Sequence, residues 1–104
     1  MNLPKYKVAA VQASPVFLNP KATTEKVCDL IKEASQNGAQ LIAFPEVFIP
    51  AYPYWSWIMN PIEGSKYFER LYMNSIDING PEIKKICESA KNNNCHIVVG
   101  INEK

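Results

Sequence analysis

Apolar residues form short unbroken runs at three places in the chain and recur at helical spacing at two others. Val8-Ala9-Ala10-Val11, inside Tyr6–Gln12, is nearly continuous and predicts a strand buried on both faces. Asn19-Pro20 then supplies a helix N-cap with proline at the first helical position, where a missing N–H costs nothing. Val27, Leu30, Ile31 and Ala34 follow at i, i+3, i+4, i+7, one stripe of a helix that Asn37-Gly38 should stop. Leu41-Ile42-Ala43-Phe44 is a second strand, ended by Pro45. Strand, helix and strand at this spacing predict a parallel pair joined by a crossover.

The second half repeats the theme with a longer interruption. Glu46 to Gly64 reads as a loop rich in proline and aromatic residues, and Ser65 to about Asn74 as a polar-aromatic helix with Phe68, Leu71 and Tyr72 on one side. Gly80-Pro81-Glu82 starts another helix, with an acid near the positive end of its dipole. Its stripe is Ile83, Ile86, Cys87 and Ala90, and Asn92-Asn93-Asn94 ends it before a third strand over His96–Ile101. The order β-α-β-α-α-β gives an α/β fold, a sheet with helices on at least one face. The 104 residues fit one domain at most. A chain that stops directly after a buried strand is expected to be the N-terminal portion of a longer protein.

Composition removes several functions. With 47% apolar and 20% charged residues the balance is that of an ordinary globular protein. A formal net charge of +1, with Lys84-Lys85 the only basic pair, leaves no footprint for nucleic acid or an anionic membrane. From Leu41 to Ile62 the only charge is Glu46, but Pro45, Pro50, Pro53 and Pro61 would break a spanning helix there. Cys28, Cys87 and Cys95 have neither disulfide nor zinc-ligand spacing, and read as reduced thiols of a cytoplasmic protein. Met1–Lys5 has no secretory-signal pattern. Gly38, Gly64, Gly80 and Gly100 make neither GxGxxG nor a P-loop, which removes a nucleotide site of those kinds.

The chemistry concentrates between Ala43 and Trp57. Ligands of open α/β sheets gather beyond the carboxyl ends of the strands, where Glu46 falls. Six of the fourteen residues from Phe44 to Trp57 are aromatic, so a partly desolvated carboxylate usable as a base is one expectation. A solvated loop glutamate beside core aromatics is the other.

Val8-Ala9-Ala10-Val11-Gln12-Ala13, the Asn-Pro-led helix and Leu41-Ile42-Ala43-Phe44-Pro45-Glu46 together resemble the start of the nitrilase (carbon-nitrogen hydrolase) superfamily. The continuation Val47 to Trp55 and the ending Val98-Val99-Gly100-Ile101-Asn102-Glu103-Lys104 resemble its nitrilase branch. The resemblance implies an α-β-β-α sandwich and a Glu-Lys-Cys catalytic set acting on a small-molecule nitrile, with no metal or organic cofactor and a homo-oligomeric full-length protein. Glu46 matches the general base. The lysine and cysteine motifs are missing from these 104 residues, so the chain alone is expected to be inactive. Cys28 and Cys87 read as packing thiols, and Cys95 and His96, adjacent on a strand, should point to opposite faces.

Tyr52 lies in the part of the loop resembling the pocket wall; Trp55 and Trp57 either extend that wall or pack under the loop or at a subunit contact. An amidase or cyanide-converting relative would use Glu46 in the same way. A non-catalytic fragment or assembly module is the reading from another class.

Overall fold

The computed structural model describes all 104 residues. Strands and helices follow in the expected order: β1 (Val8–Ala10), α1 (Pro20–Gln36), β2 (Leu41–Ala43), α2 (Pro61–Met73), α3 (Pro81–Asn92) and β3 (His96–Val98). A single 3-10 turn covers Tyr54–Trp57.

The helix ends obey their local chemistry. Asn19 Oδ1 accepts the Ala22 N–H at 3.0 Å, satisfying one free donor of the first turn of α1. After Asn37 the chain turns through Gly38 at φ +89°, a conformation open to glycine without strain. At the end of α3, Asn94 takes the left-handed conformation at φ +50°, which asparagine tolerates better than most residues. Helix α2 starts at Pro61 rather than Ser65. Asn60 Oδ1 accepts the N–H groups of Ile62 and Glu63 at 3.0 and 2.9 Å, the same Asn-Pro device as at α1. Gly64, taken from sequence as loop, lies inside that first turn, and a Cβ there would come within 3.1 Å of the Trp55 ring.

The sheet is parallel throughout, in the order β1-β2-β3. Its register aligns three ranks: Val8, Leu41, His96; then Ala9, Ile42, Ile97; then Ala10, Ala43, Val98. The middle rank packs with Val27 and Ile31 of α1 and Ile86 of α3. The outer two ranks point the other way, as the two-residue period requires.

This corrects one expectation. The first strand was expected to be buried on both faces, but the helices cover only one face of the sheet. Val8 is 52% exposed and Val98 58%. Two clusters make up the interior. The larger joins α1, α3 and the sheet to Phe44, Phe48, Ile49 and Ile76; the smaller is Leu18, Ala51, Trp55 and Leu71. No helix is long and apolar enough to cross a membrane.

Candidate active site

Glu46 is carried by a backbone excursion at the end of the central strand. The Phe44 N–H donates to the Val98 carbonyl at 2.8 Å, and the chain then leaves the ladder. It rejoins at Ile49, whose N–H donates to the Gly100 carbonyl at 3.2 Å and whose carbonyl accepts from Asn102 N–H at 2.8 Å. Ile49 also bridges Ile101 in parallel. Six residue steps separate Ala43 from Ile49, against three between their partners Val98 and Ile101, so three surplus residues stand out of the sheet. Glu46 sits within this bulge. Bulges of this kind re-aim side chains next to active sites.

The roots of the bulge are buried and its crest is not. Phe44, Phe48 and Ile49 belong to the larger cluster, with the two phenyl rings 5.7 Å apart. Glu46 itself is exposed. The expectation that aromatic residues surround and desolvate it is therefore not met within this chain. Phe44 and Phe48 turn into the core on either side of the carboxylate, and the tryptophans belong elsewhere. Glu46 makes no ion pair; the single ion pair of the chain joins Lys85 to Glu25 at 3.9 Å.

The three aromatic candidates part company. Tyr52 is half-buried, its ring centroid 5.1 Å from that of Tyr54. Trp55 is 4% exposed and is the centre of the smaller cluster, with Phe68, Tyr67 and Phe17 at 5.2, 5.5 and 6.0 Å. Of the two roles open to it, packing under the loop is the one this geometry favours. Trp57, two residues on across the 3-10 turn, is 76% exposed and presents free apolar surface.

The thiols stand apart from Glu46. Burial raises Cys28 and Cys95 above the ordinary thiol value, which disfavours the thiolate a nucleophile needs. Cys28 Sγ meets the Lys85 carbonyl and Cys95 Sγ the Ala90 carbonyl, each at 3.9 Å. Cys95 packs against the larger cluster while His96 is exposed, so the neighbours diverge as strand alternation dictates. Cys87 corrects another expectation: it is exposed rather than packed. Its stripe on α3 is wider than the layer covering it, and a groove of about 540 Å³ beside Ile83, Ile86, Cys87, Ile97 and Val99 stays open.

Comparison with known proteins places this arrangement in a family. The sequence profile of carbon-nitrogen hydrolases matches residues 7–104. The chain belongs to the carbon-nitrogen hydrolase family. It is similar to a nitrilase of Bacillus sp. (strain OxB-1), 50% identical over 103 residues that cover 99% of this chain and 30% of that protein. An aliphatic nitrilase of Rhodococcus rhodochrous is 43% identical over 100 residues, 95% of this chain and 27% of its own length. A cyanide hydratase of Leptosphaeria maculans is 41% identical over 103 residues, 99% of this chain and 29% of its own. The chain thus spans a little under a third of the length of the curated relatives it matches.

In a carbon-nitrogen hydrolase these 104 residues offer one reactive group in a defined place. An exposed carboxylate on a bulge with buried roots can take a proton from a thiol or a water brought to it. No thiol of this chain is hydrogen-bonded to it.

Proposed function

We propose that residues 1–104 are the base-bearing, N-terminal portion of a single carbon-nitrogen hydrolase domain that converts a nitrile into a carboxylic acid and ammonia. One observation carries this reading: Glu46 stands on the bulge at the carboxyl end of the central strand, in a chain 50% identical to a nitrilase over 99% of its length. The bare outer ranks of the sheet, with Val8 and Val98 more than half exposed, suit the second sheet of an α-β-β-α sandwich.

The chemistry asked of Glu46 is proton transfer. The rest of the domain supplies a cysteine and a lysine, as the family resemblance implies. Glu46 takes the thiol proton and hands it to the nitrile nitrogen as the thiolate adds to the nitrile carbon, which gives a thioimidate and restores the carboxylate. The oxygen of a water adds to that carbon while both of its protons pass through the same carboxylate to the nitrogen, and ammonia leaves. A second water cleaves the resulting thioester, releasing the acid and restoring the thiol. The lysine stabilises the negative charge that develops on nitrogen and oxygen. No cofactor takes part.

Tyr52 and Trp57 are the pocket residues in this reading, and Trp55 holds the loop that carries them. The full-length protein is a cytoplasmic homo-oligomer. Similarity to a cyanide hydratase favours one variant, in which Glu46 serves the same role and nitrogen is retained in an amide.

The test is a chimera in which this chain replaces the matching segment of the Bacillus nitrilase. Nitrile-dependent ammonia release is expected, with the amide as the only product if the hydratase variant holds. Glu46→Gln should lower kcat/KM by roughly 10²–10⁴-fold, the usual contribution of a general base. A Glu46→Gln chimera within twofold of its parent would refute the assignment.

A further inference from the structure

We propose that Gly100 is a positioning residue for Glu46, acting through the backbone of the bulge; the inference rests on the reading of Glu46 as the base. The bulge lies directly on Gly100. A Cβ built there would fall 2.5 Å from the Val47 nitrogen, 2.8 Å from the Pro45 carbonyl oxygen and 3.0 Å from the Glu46 carbonyl carbon. All three are backbone atoms, so no side-chain rotation relieves the overlap. Glycine is required here for space and not for conformation, because Gly38 is the only glycine with a positive φ.

The other glycines show how particular this contact is. Gly38 faces the flexible end of Lys7, Gly64 faces the side chains of Trp55 and Met59, and a Cβ at Gly80 would meet the Asp77 carbonyl oxygen of its own turn at 3.0 Å. Only Gly100 lies against the backbone on both sides of the candidate base. Close approach of two backbones is a known use of glycine at the end of a strand.

A second observation bears on the same point. Val47, the residue after Glu46, has φ +43°, in a region that β-branched residues rarely adopt. Such a conformation persists only where its surroundings over-determine it, and it clusters at functional sites. Here the surroundings are the buried Phe48 and Ile49 on one side and the Gly100 backbone beneath, whose carbonyl also accepts the Ile49 N–H. The backbone direction at Glu46 is thus set by contact with residue 100, fifty-four positions away in sequence. A methyl group at Gly100 must lift Pro45–Val47 off the sheet end, and the carboxylate moves with them. Misplacement of a catalytic group by about 1 Å costs on the order of 10²-fold in rate.

Two measurements test this. In the 104-residue chain, Gly100→Ala should shift the NMR signals of Glu46, Val47 and Phe48 and leave those of α1 and α2 in place. Unmoved Glu46 and Val47 signals, or a collapse of the whole spectrum, would overturn local positioning. In the chimera with the Bacillus nitrilase, Gly100→Ala should lower kcat about 100-fold with KM within threefold. In a Glu46→Gln background the same change should cost less than twofold, because the group it positions is gone. An equal cost in both backgrounds would mean a structural role only and would end the proposal, as would a kcat within threefold of the parent. Full activity of Glu46→Gln alone would instead remove the base reading and leave Gly100 nothing to position.

Discussion

The two hydrophobic clusters hold two different parts of the candidate site. The larger spans both covering helices and the sheet, and it roots the Glu46 bulge through Phe44, Phe48 and Ile49. The smaller joins only Leu18, Ala51, Trp55 and Leu71, and it carries the segment with Tyr52 and Trp57. The candidate base therefore stands on the larger cluster, and the candidate pocket residues stand on a satellite. The difference is chemical sense in structural form: a proton-transfer group has to be placed within tenths of an ångström, whereas an apolar wall tolerates some give.

Truncating the centre of each cluster separates them most sharply. Phe48→Ala and Trp55→Ala each remove a large buried ring, and each should cost about 3–5 kcal/mol. The losses should register differently. Phe48→Ala should lower the urea midpoint of the whole chain. Trp55→Ala should mainly strip hydrogen-exchange protection from the Pro61–Met73 amides, with the β2 amides still protected. Equal loss of protection in both regions would show that the clusters unfold as one unit and that the satellite has no independence.

The two regions were also unequally legible from sequence. The elements around the larger cluster followed from short apolar runs and Asn-Pro or Gly-Pro helix starts, because each is fixed by residues a few positions apart. The Asn60-Pro61 start of α2 carries the same signal, but Gly64 and the nearby prolines read as loop and mask it. Trp55 and Trp57 were indistinguishable in sequence; a 3-10 turn, set by tertiary packing, sends one inward and the other out. The exposure of Glu46 was one of two readings left open, for a similar reason. Counting aromatic residues around it cannot tell that Phe44 and Phe48 turn inward while the residue between them does not. Gly100 left a faint signal, an isolated glycine within a strand pattern, but its partner is a bulge far away in the chain. The one-sided burial of the strands was illegible too, because an apolar run records what the outer face is suited to meet, and the helices of this chain reach only the inner one.

A smaller effect probes the larger cluster from its edge. Cys28 and Cys95 pack against it, and burial holds both thiols above the ordinary value of 9.0. The folded chain then keeps protons that the unfolded chain releases. Their stabilising contribution is complete below pH 9.0 and is lost as the pH rises through the raised folded values. Urea midpoints should accordingly fall between pH 7.5 and pH 10.5. The fall should be shallower in a Cys28→Ser, Cys95→Ser double variant, which lacks both titrating groups. An identical slope in the double variant would show that other groups account for the pH dependence.

The smallest stability change is expected where function has most to gain. Trp57 is 76% exposed and belongs to neither cluster, so Trp57→Ala should change the unfolding free energy of this chain by no more than about 0.5 kcal/mol. An exposed tryptophan that contributes nothing to folding is available for contact. If Trp57 is a pocket wall, removing it in the Bacillus chimera should raise KM for an aryl nitrile about tenfold, the cost of losing a buried aromatic anchor, while kcat changes little. Trp55→Phe, which keeps the packing, should leave KM unchanged. The two tryptophans would then divide the work of one loop, with Trp55 holding it and Trp57 meeting the substrate. An unchanged KM in Trp57→Ala would assign the exposed ring to a subunit contact instead, and the sedimentation of the chimera with and without that ring would show it.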